Sequence, residues 1–536
     1  MLDRRLWLPA VAIAVWPAQV WAQAAPSPKP TATPLAVSGF VRSYYFTRQN
    51  ATDNPGVQFD YSTKKCNGAG PCANQATLNS AVDLHADYDF GGGWYAGGSY
   101  FYAQPFNGPC SPASQHAKDD PCVSQDPPNT NPDDTLPGFA LSTFPEAYLG
   151  YKRAGFSAKA GDQLFDSPWA APYDGSRLKP AAYQGADFEY DWGSGWRADL
   201  ADVLQFENRT SNAFESSTML TSHPAGAAGL PDDVYVPGGG SITTPGFLYA
   251  HLGYAAPTKR YELNGYYYGI ADIATMWWFD GKYAFSERGW QPSIALQGGV
   301  EGNAGAAVIG KIDSSIFGTR VAVRPSKNLV VDASADWIPW RTDTVVLPGP
   351  VKCNDFNYQI SAGGKVYPGT TFRYFLPVDA AQCFTDRSGA TTVYYGGWAS
   401  PYTDSYSSDA VFTTQISQGT IDRRSPGFAW RVSATFTSND KRVTFIAGDA
   451  WFDYGNPLAA QITNEWTLDG IYRFSPVSSG SYRGFFVRYR YAQRSQSNTF
   501  CGAAATSCPA GTPAGTTFLG GLPLFKYNRA QLEYDF

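Results

Sequence analysis

The sequence predicts an all-β protein, a transmembrane antiparallel β-barrel of roughly 16–18 strands. Three observations carry this prediction. The closing residues, FKYNRAQLEYDF, alternate polar and apolar side chains and end on Phe536. Segments with the same alternation recur from Val37 onward without a break in composition. The chain also begins with a leader that is typical of exported proteins.

The last segment shows why a membrane barrel is favoured over a soluble sheet. Arg529 and Glu533 share one parity, while Leu532, Tyr534 and Phe536 share the other. Successive strand side chains point to opposite faces, so the segment has a polar face and a mostly apolar face. An exposed apolar strand would promote aggregation in water, but it is stable when that face meets lipid. A soluble β-sandwich is the alternative.

The N-terminus divides the chain into three predicted parts. Residues 1–22 combine two arginines with an apolar stretch and small residues, which predicts a signal peptide cleaved near Ala22 or Ala24. The Pro-rich residues 23–36 are a predicted linker. Residues 37–536 then form the barrel as a single domain. This order predicts residence in the outer membrane of a Gram-negative cell.

The composition argues against several classes of protein. The 536 residues are 43% apolar and 16% charged, and no internal apolar run reaches the roughly 18 residues of a membrane-spanning helix. A net charge of −6 gives no support for nucleic-acid binding. The four histidines are scattered and no catalytic motif is present, so we predict no catalytic residues, no metal and no cofactor.

The eight cysteines fall in neighbouring pairs within Gly-, Pro- and Asn-rich stretches. This pattern predicts disulfides that each close one loop in an oxidising periplasm, although spacing alone leaves other connectivities open. The predicted pairs are Cys66 with Cys72, Cys110 with Cys122, Cys353 with Cys383, and Cys501 with Cys508.

Connections of unequal length also favour a membrane barrel. Short turns such as APTKR (256–260) and RPSKN (324–328) alternate with long irregular insertions. Outer-membrane barrels have short turns at one end and long loops at the other. At about 28 residues per strand with its connection, some 16–18 strands fit, and a barrel of that size encloses an aqueous channel.

Arginines identify the lumen face of several strands. Arg488 and Arg490 lie opposite Val487 and Tyr489 in GFFVRYRYAQR, and a lipid-facing Arg would cost about 2–4 kcal/mol at the bilayer midplane. Because first and last strands are neighbours in a closed barrel, the lumen arginines should form one stripe. Its residues are Arg42, Arg48, Arg488, Arg490 and Arg529. The stripe either guides anionic solutes or only pairs with lumen acids such as Glu533 and Asp535.

Several motifs, in order along the chain, resemble the OprD family of substrate-specific outer-membrane porins. They are VRSYYFTR (41–48), GDQLFDSPWAAPYDGSRLKPAAYQG (161–185), GKIDSSIFGTRVAV (310–323), FFVRYRYAQR (485–494) and NRAQLEYDF (528–536). The resemblance implies an 18-stranded barrel, a loop that folds inward to narrow the pore, and a ladder of arginines that guides carboxylate-bearing solutes. It places the arginine stripe on the ladder and Arg177 in the constriction.

The predicted constriction lies in residues 162–183, where charged side chains are mixed with aromatic ones. Tyr173, Asp174 and Arg177 are its candidate residues. A loop folded into the lumen has this character, but so does a surface loop. Lumen acids at Asp332 and Asp336 would favour a cationic second group on the solute.

The expected function is passive, substrate-selective diffusion of small carboxylate-bearing solutes, whether amino acids, small peptides or organic acids. The alternatives are an adhesion barrel that uses its long loops (104–138 and 345–395) and, less favoured, an outer-membrane enzyme. Expected partners are small-molecule solutes, outer-membrane lipid and the barrel-assembly machinery, which would read Tyr534 and Phe536. The sequence leaves a monomer or a trimer open.

Overall fold

A computed structural model describes most of the chain from Pro34 onward, as one compact unit that starts at Leu35. The predicted signal peptide and most of the linker lie outside the described residues. The described ranges are 34–50, 75–106, 140–171, 178–209, 211–222, 240–346, 383–385, 390–403, 410–416, 426–453, 461–476, 483–498 and 525–536.

The described residues form 23 strands, of which 18 build one antiparallel barrel that closes through pairing of the first strand with the last. The barrel strands are β1 (Leu35–Asn50), β2 (Gln75–Gly91), β3 (Trp94–Pro105), β4 (Leu141–Arg153), β5 (Phe156–Gln163), β6 (Ala182–Asp191), β7 (Trp196–Glu207), β10 (Phe247–Ala255), β11 (Tyr261–Ile270), β12 (Ala274–Ala284), β13 (Ser293–Asn303), β14 (Asp313–Ser326), β15 (Leu329–Ile338), β19 (Gly427–Thr437), β20 (Val443–Asp453), β21 (Gln461–Arg473), β22 (Gly484–Asn498) and β23 (Phe525–Asp535). The other strands form two small sheets: β8 (Ser217–Ser222) with β9 (Gly240–Thr243), and β16 (Arg341–Val346) and β17 (Cys383–Thr385) on either side of β18 (Ala390–Tyr395). The predicted fold class and strand number are confirmed.

Alternation of side chains explains why these segments form a barrel. On β22, Phe485 and Tyr489 are each 51% exposed on the outer surface, while Arg490 and Arg494 are buried on the inner side. The same pattern holds on the other barrel strands, whose outward positions carry the exposed Leu, Val, Phe, Tyr and Trp side chains. Burial of this apolar surface in lipid, together with closed backbone pairing, satisfies both demands of a membrane environment.

The two ends of the barrel differ in their connections. Short turns, such as those that join β14 to β15 and β10 to β11, lie at the end where β1 starts and β23 stops. We call it the short-turn end, and both short turns that the sequence predicts are found there. The opposite, long-loop end carries every long connection. β1 begins at Leu35, two residues before the predicted barrel start. Among the described residues, no helix is long and apolar enough to cross a membrane.

Closure of the barrel brings the C-terminal residue onto the first strand. The backbone N–H of Phe536 donates to the carbonyl of Gly39 at 3.1 Å. Gly39 has φ +155°, and a Cβ there would lie 2.0 Å from the backbone oxygen of Asp83. Only glycine fits between β2 and the terminal residue.

Candidate solute pathway

The exposed fraction of the inward-facing side chains falls with distance from the short-turn end. On β22, Phe486 and Arg488 are partly exposed, whereas Arg490, Ala492 and Arg494 are buried. Since all of these side chains point into the barrel, their burial shows that other parts of the chain cover the wall from the level of Arg490 upward. The short-turn half is therefore an open vestibule, and we call the narrowed region above it the roof.

On other strands, the change from exposed to buried inward-facing side chains occurs at the same height in the barrel. On β12, Lys282 is exposed and Asp280 partly exposed, but Trp278 is fully buried. On β2, Asp87 is partly exposed and Ala81 is buried. The vestibule and its roof therefore extend around the barrel.

The first part of the roof is the first inward segment, which we define as residues 164–171 and 178–181, between β5 and β6. Its Trp169 is 2% exposed and contacts Trp278 of β12 edge-to-face, with ring centroids 5.0 Å apart. The backbone N–H of Trp169 donates to the hydroxyl of Tyr268 on β11 at 3.2 Å. The segment thus lies inside the barrel, as the resemblance implies for this region.

A buried ion pair fixes the end of this segment. Lys179 Nζ lies 3.0 Å from Glu207 Oε1, and both side chains are 0% exposed. The same ammonium donates to the backbone carbonyl of Asn208 at 2.9 Å. Burial lowers the pKa of Lys179 below its usual range, and the adjacent carboxylate opposes that shift. The pair therefore ties the segment to the end of β7.

The second part of the roof is the second inward segment, residues 396–403 and 410–416, between β18 and β19. The backbone N–H of Ala399 donates to Glu301 on β13, and that of Thr413 donates to Asp336 on β15, both at 2.7 Å. These wall carboxylates accept hydrogen bonds from the segment's backbone, which a buried backbone requires. Asp336 points inward as predicted, but it supports this segment and is only 1% exposed.

The two inward segments meet in the middle of the barrel. Trp169 and Trp398 have ring centroids 5.3 Å apart, and Ala170 forms an isolated parallel bridge with Tyr402. Gly299 on β13 permits this arrangement, because a Cβ there would lie 2.8 Å from the Trp398 ring. The sequence analysis did not identify the second segment. Its small and aromatic residues, GGWASPY, would have been the signal.

An arginine patch lies at the level of the roof on β21 to β23. Asp469, Arg490 and Arg529 occupy one register row across these strands. Asp469 accepts two hydrogen bonds from Arg488, at 2.9 and 2.7 Å, and one from Arg490 at 2.9 Å. Arg529 contacts the hydroxyl and ring of Tyr527 and the ring of Tyr44. The guanidinium groups of Arg488 and Arg490 thus share one carboxylate, and Arg529 lies opposite Arg490 against two aromatic rings.

Arg42 is held differently from the arginine patch. It forms a two-point ion pair with Glu533, through Nε to Oε2 and Nη2 to Oε1. Its Nη1 also donates to the backbone carbonyl of Leu178 in the first inward segment, at 3.3 Å. Arg42 therefore neutralises a lumen acid and supports the roof, which matches the scaffold alternative for this position.

Several predicted residues cannot be placed. Arg48 lies on β1 at the inward parity, opposite Tyr527 of β23, but its side chain is outside the described residues. Tyr173, Asp174 and Arg177 lie outside them as well. So do the cysteine side chains and with them the predicted disulfides.

The inner wall from β2 to β12 is acidic, and the sequence analysis did not identify it. Inward-facing carboxylates there outnumber inward-facing basic residues such as Lys159, Arg197 and Lys282. Both ring nitrogens of His85 contact carboxylates, Asp87 and Glu146, at 3.0 Å. These acids alternate along their strands with exposed Leu, Phe, Tyr and Trp side chains, and this alternation would have identified them from the sequence. They are Asp83, Asp87, Glu146, Asp187, Glu189, Asp199, Glu262 and Asp280.

Together these features define a membrane-type barrel whose lumen is narrowed by two inward segments beside a basic wall. Solved porin structures share this fold. Pseudomonas aeruginosa OccK2 (OpdF), in complex with glucuronate, is 11% identical with a TM-score of 0.58, over 94% of this chain and 97% of that one. Pseudomonas aeruginosa OpdK with vanillate is 12% identical with a TM-score of 0.56, over 94% and 98%.

A BenF-like porin from Pseudomonas fluorescens Pf-5 is 10% identical with a TM-score of 0.59, over 94% of this chain and 98% of that one. At these identities the likeness shows the fold alone, and the resemblance that the motifs indicate is confirmed at that level. No family model matches the chain. No curated protein matches it either.

Proposed function

We propose that this protein is an OprD-type porin of the Gram-negative outer membrane, through which small carboxylate-bearing solutes diffuse passively and selectively. The observation that carries the proposal is the arginine patch. Arg488 and Arg490 share Asp469, and Arg529 lies beside them against aromatic rings, which leaves an excess of positive charge beside the narrowed lumen.

The position of the patch suits transient binding of an anion. Arg488 borders the vestibule, with 13% of its side chain exposed, and Arg490 and Arg529 lie at the roof. A unit charge at contact gains about 1 kcal/mol in water and several times more where water is excluded. Attraction therefore increases as a solute reaches the roof. Moderate binding at successive sites concentrates a solute without trapping it.

Two porins of the same fold have been solved with carboxylate-bearing molecules, glucuronate in OccK2 and vanillate in OpdK. Both ligands combine a carboxylate with at least one hydroxyl group. The β7–β12 part of the acidic wall lies across the barrel from the patch and would receive the hydrogen-bond donors or cationic group of such a solute. Opposed walls of opposite charge would thus orient a polar solute as it passes.

Uptake by protein-loaded liposomes tests the proposal. We expect Arg529→Gln to slow glucuronate uptake by about fivefold, the equivalent of about 1 kcal/mol for one charge at contact, and to leave glucose uptake within twofold. The effect should shrink in 1 M salt, where the screening length is about 3 Å. Arg529 suits the test because, among the described residues, no carboxylate pairs with it.

Arg442→Gln is the matched control, because it removes an arginine from the turn between β19 and β20, outside the lumen. It should leave both uptake rates unchanged. Equal slowing of glucuronate and glucose by Arg529→Gln would indicate a scaffold role for the patch. Absence of any ion current from folded wild-type protein in planar bilayers would exclude a channel altogether.

A further inference from the structure

A second group of basic residues lines the vestibule, away from the arginine patch. Lys282 on β12 and Arg320 and Arg324 on β14 border one cavity of about 480 Å³ near the short-turn end. Asp332 and Glu287 border it too, so basic groups outnumber acidic ones. Four strands, β15, β19, β20 and β21, lie between the arginines on β14 and strand β22 of the arginine patch.

The strand register brings two of the cations to face each other. Lys282 pairs with Ala295 on β13, and Ala295 pairs with Arg320 on β14. Neighbouring strands lie 4.7–4.9 Å apart, so the two backbones are separated by about 10 Å across a small alanine. Long basic side chains on either side of an alanine leave room for a carboxylate between them.

Arg324 extends the basic surface toward the short-turn end. It lies four positions after Arg320 at the same inward parity, roughly 13 Å along the strand, and it is exposed. Ala284, Ala295 and Ala322 give the cavity an uncharged floor. This combination fits a small organic anion better than a bare inorganic ion, because it offers apolar contact together with charge.

All three cations are available for a ligand. In the part of the chain that the structure describes, the side chains of Lys282, Arg320 and Arg324 form no ion pair or hydrogen bond with a protein group. The Arg320 guanidinium lies over the ring of Phe412, with its central carbon 4.7 Å from the ring centroid. In contrast, Arg42, Arg488 and Arg490 are all paired with carboxylates.

We propose that this cavity is a second anion-binding subsite, which takes the carboxylate of a small organic acid on the short-turn side of the inward segments. The inference rests on the proposed function, because the acid reaches the cavity through the same lumen. A solute that leaves the arginine patch would bind Lys282 and Arg320 next, and Arg324 at the mouth. Binding at the roof and again in the vestibule shortens the part of the path along which the carboxylate has no positive group beside it.

Current blockade of single channels in planar bilayers tests the subsite, with glucuronate added to one chamber at a time and glucose as the neutral probe. In wild-type protein we expect glucuronate, but not glucose, to block the current from the short-turn side. Arg320→Gln with Arg324→Gln should lower the frequency of these blockades about tenfold. Blockade from the long-loop side should stay within twofold.

Three further variants sharpen the result. Lys327→Gln removes a positive charge from the adjacent β14–β15 turn, outside the cavity, and should change nothing. Arg320→Lys with Arg324→Lys keeps the charge and should retain most of the blockade. Arg324→Gln alone replaces an exposed side chain that does not contact Phe412, so it tests the site even if the double variant fails to fold.

The outcomes separate the subsite from the proposed function. Unchanged blockade from the short-turn side in the folded Arg320→Gln/Arg324→Gln variant, or in Arg324→Gln alone, overturns the subsite. If Arg529→Gln still abolishes the preference for glucuronate over glucose, the proposed function stands without it. A wild-type channel that glucuronate does not block from either side overturns the subsite, and equal uptake of both solutes would overturn the proposed function as well.

Discussion

Arg490 and Arg529 lie directly opposite each other on β22 and β23, and both side chains point into the barrel. Like charges at opposed positions destabilise a sheet. Asp469 offsets the charge of Arg490, and the ring of Tyr44 lies 4.9 Å from the Arg529 guanidinium carbon. The barrel therefore keeps an unfavourable pair beside the narrowed lumen, where departures from folding rules are expected to serve function.

Asp469 sets the charge of the arginine patch. Asp469→Asn should raise anion over cation selectivity by up to about fivefold, since one charge at contact is worth about 1 kcal/mol in water. Reversal potentials under a KCl gradient measure the change. Asp449→Asn is a control on the neighbouring strand β20, with its own partner Asn464 at 2.7 Å. A reversal potential that moves toward cations in Asp469→Asn would contradict the proposed role of the patch.

The Lys179–Glu207 pair gives a prediction about stability. Glu207→Gln leaves a fully buried ammonium without its carboxylate, and loss of one partner of a buried pair costs about 3–5 kcal/mol. We expect the unfolding midpoint in denaturant to fall accordingly, followed by tryptophan fluorescence in detergent micelles. Because the pair anchors the first inward segment, channel current should also become noisier.

A paired replacement separates charge from packing. Lys179→Met with Glu207→Leu removes both charges and keeps apolar volume, so its stability should return to within about 1–2 kcal/mol of wild type. A double variant no more stable than Glu207→Gln would show that the pair's hydrogen bonds, including the one to Asn208, matter more than the compensated charge.

The sequence predicts the barrel well because each strand carries a local signal. In β22 and β23 the alternation of arginine with Val, Tyr and Leu is enough to fix which face meets lipid. Length limits the number of strands to roughly 16–18, the resemblance gives 18, and closure brings β1 beside β23. These features depend on neighbouring residues and on the cost of charge in lipid, so they can be inferred without tertiary contacts.

The roof of the vestibule could not be predicted in the same way. Trp169 and Trp398 are more than 200 positions apart in the sequence, and their contact depends on how two irregular segments cross the lumen. Parity predicts that Arg42, Arg488 and Asp336 point inward, but not that Arg42 binds Leu178 or that Asp336 binds Thr413. Partners across a lumen follow from register and loop path, for which periodicity carries no signal.

The C-terminal residue is the basis of a prediction about assembly. Phe536 stacks near Tyr534, with ring centroids 6.2 Å apart, and its N–H closes the barrel on Gly39. Deletion of Phe536 should lower the amount of protein inserted in the outer membrane while synthesis and export continue. Quantification of folded barrel in membrane fractions measures this. Tyr534→Ala, which keeps the terminal Phe, distinguishes a terminal signal from loss of aromatic surface; normal insertion after the deletion would count against the signal.

If the inward segments form the constriction, Trp398 limits the width of the opening that a solute passes at the roof. Its side chain is 0% exposed and fills the space between Trp169, Trp278 and Gly299. Trp398→Ala removes a large buried side chain, which costs about 3–5 kcal/mol and leaves a cavity.

We expect this variant to conduct more current per channel and to discriminate less between solutes of different size, while its preference for carboxylates persists because the arginine patch is untouched. Trp290→Ala is the matched control, since Trp290 is 66% exposed in the β12–β13 turn. Single-channel conductance and uptake of a size series of neutral sugars measure the two effects. If conductance and the size limit both stay at wild-type values in a folded Trp398→Ala protein, the narrow point lies elsewhere in the lumen.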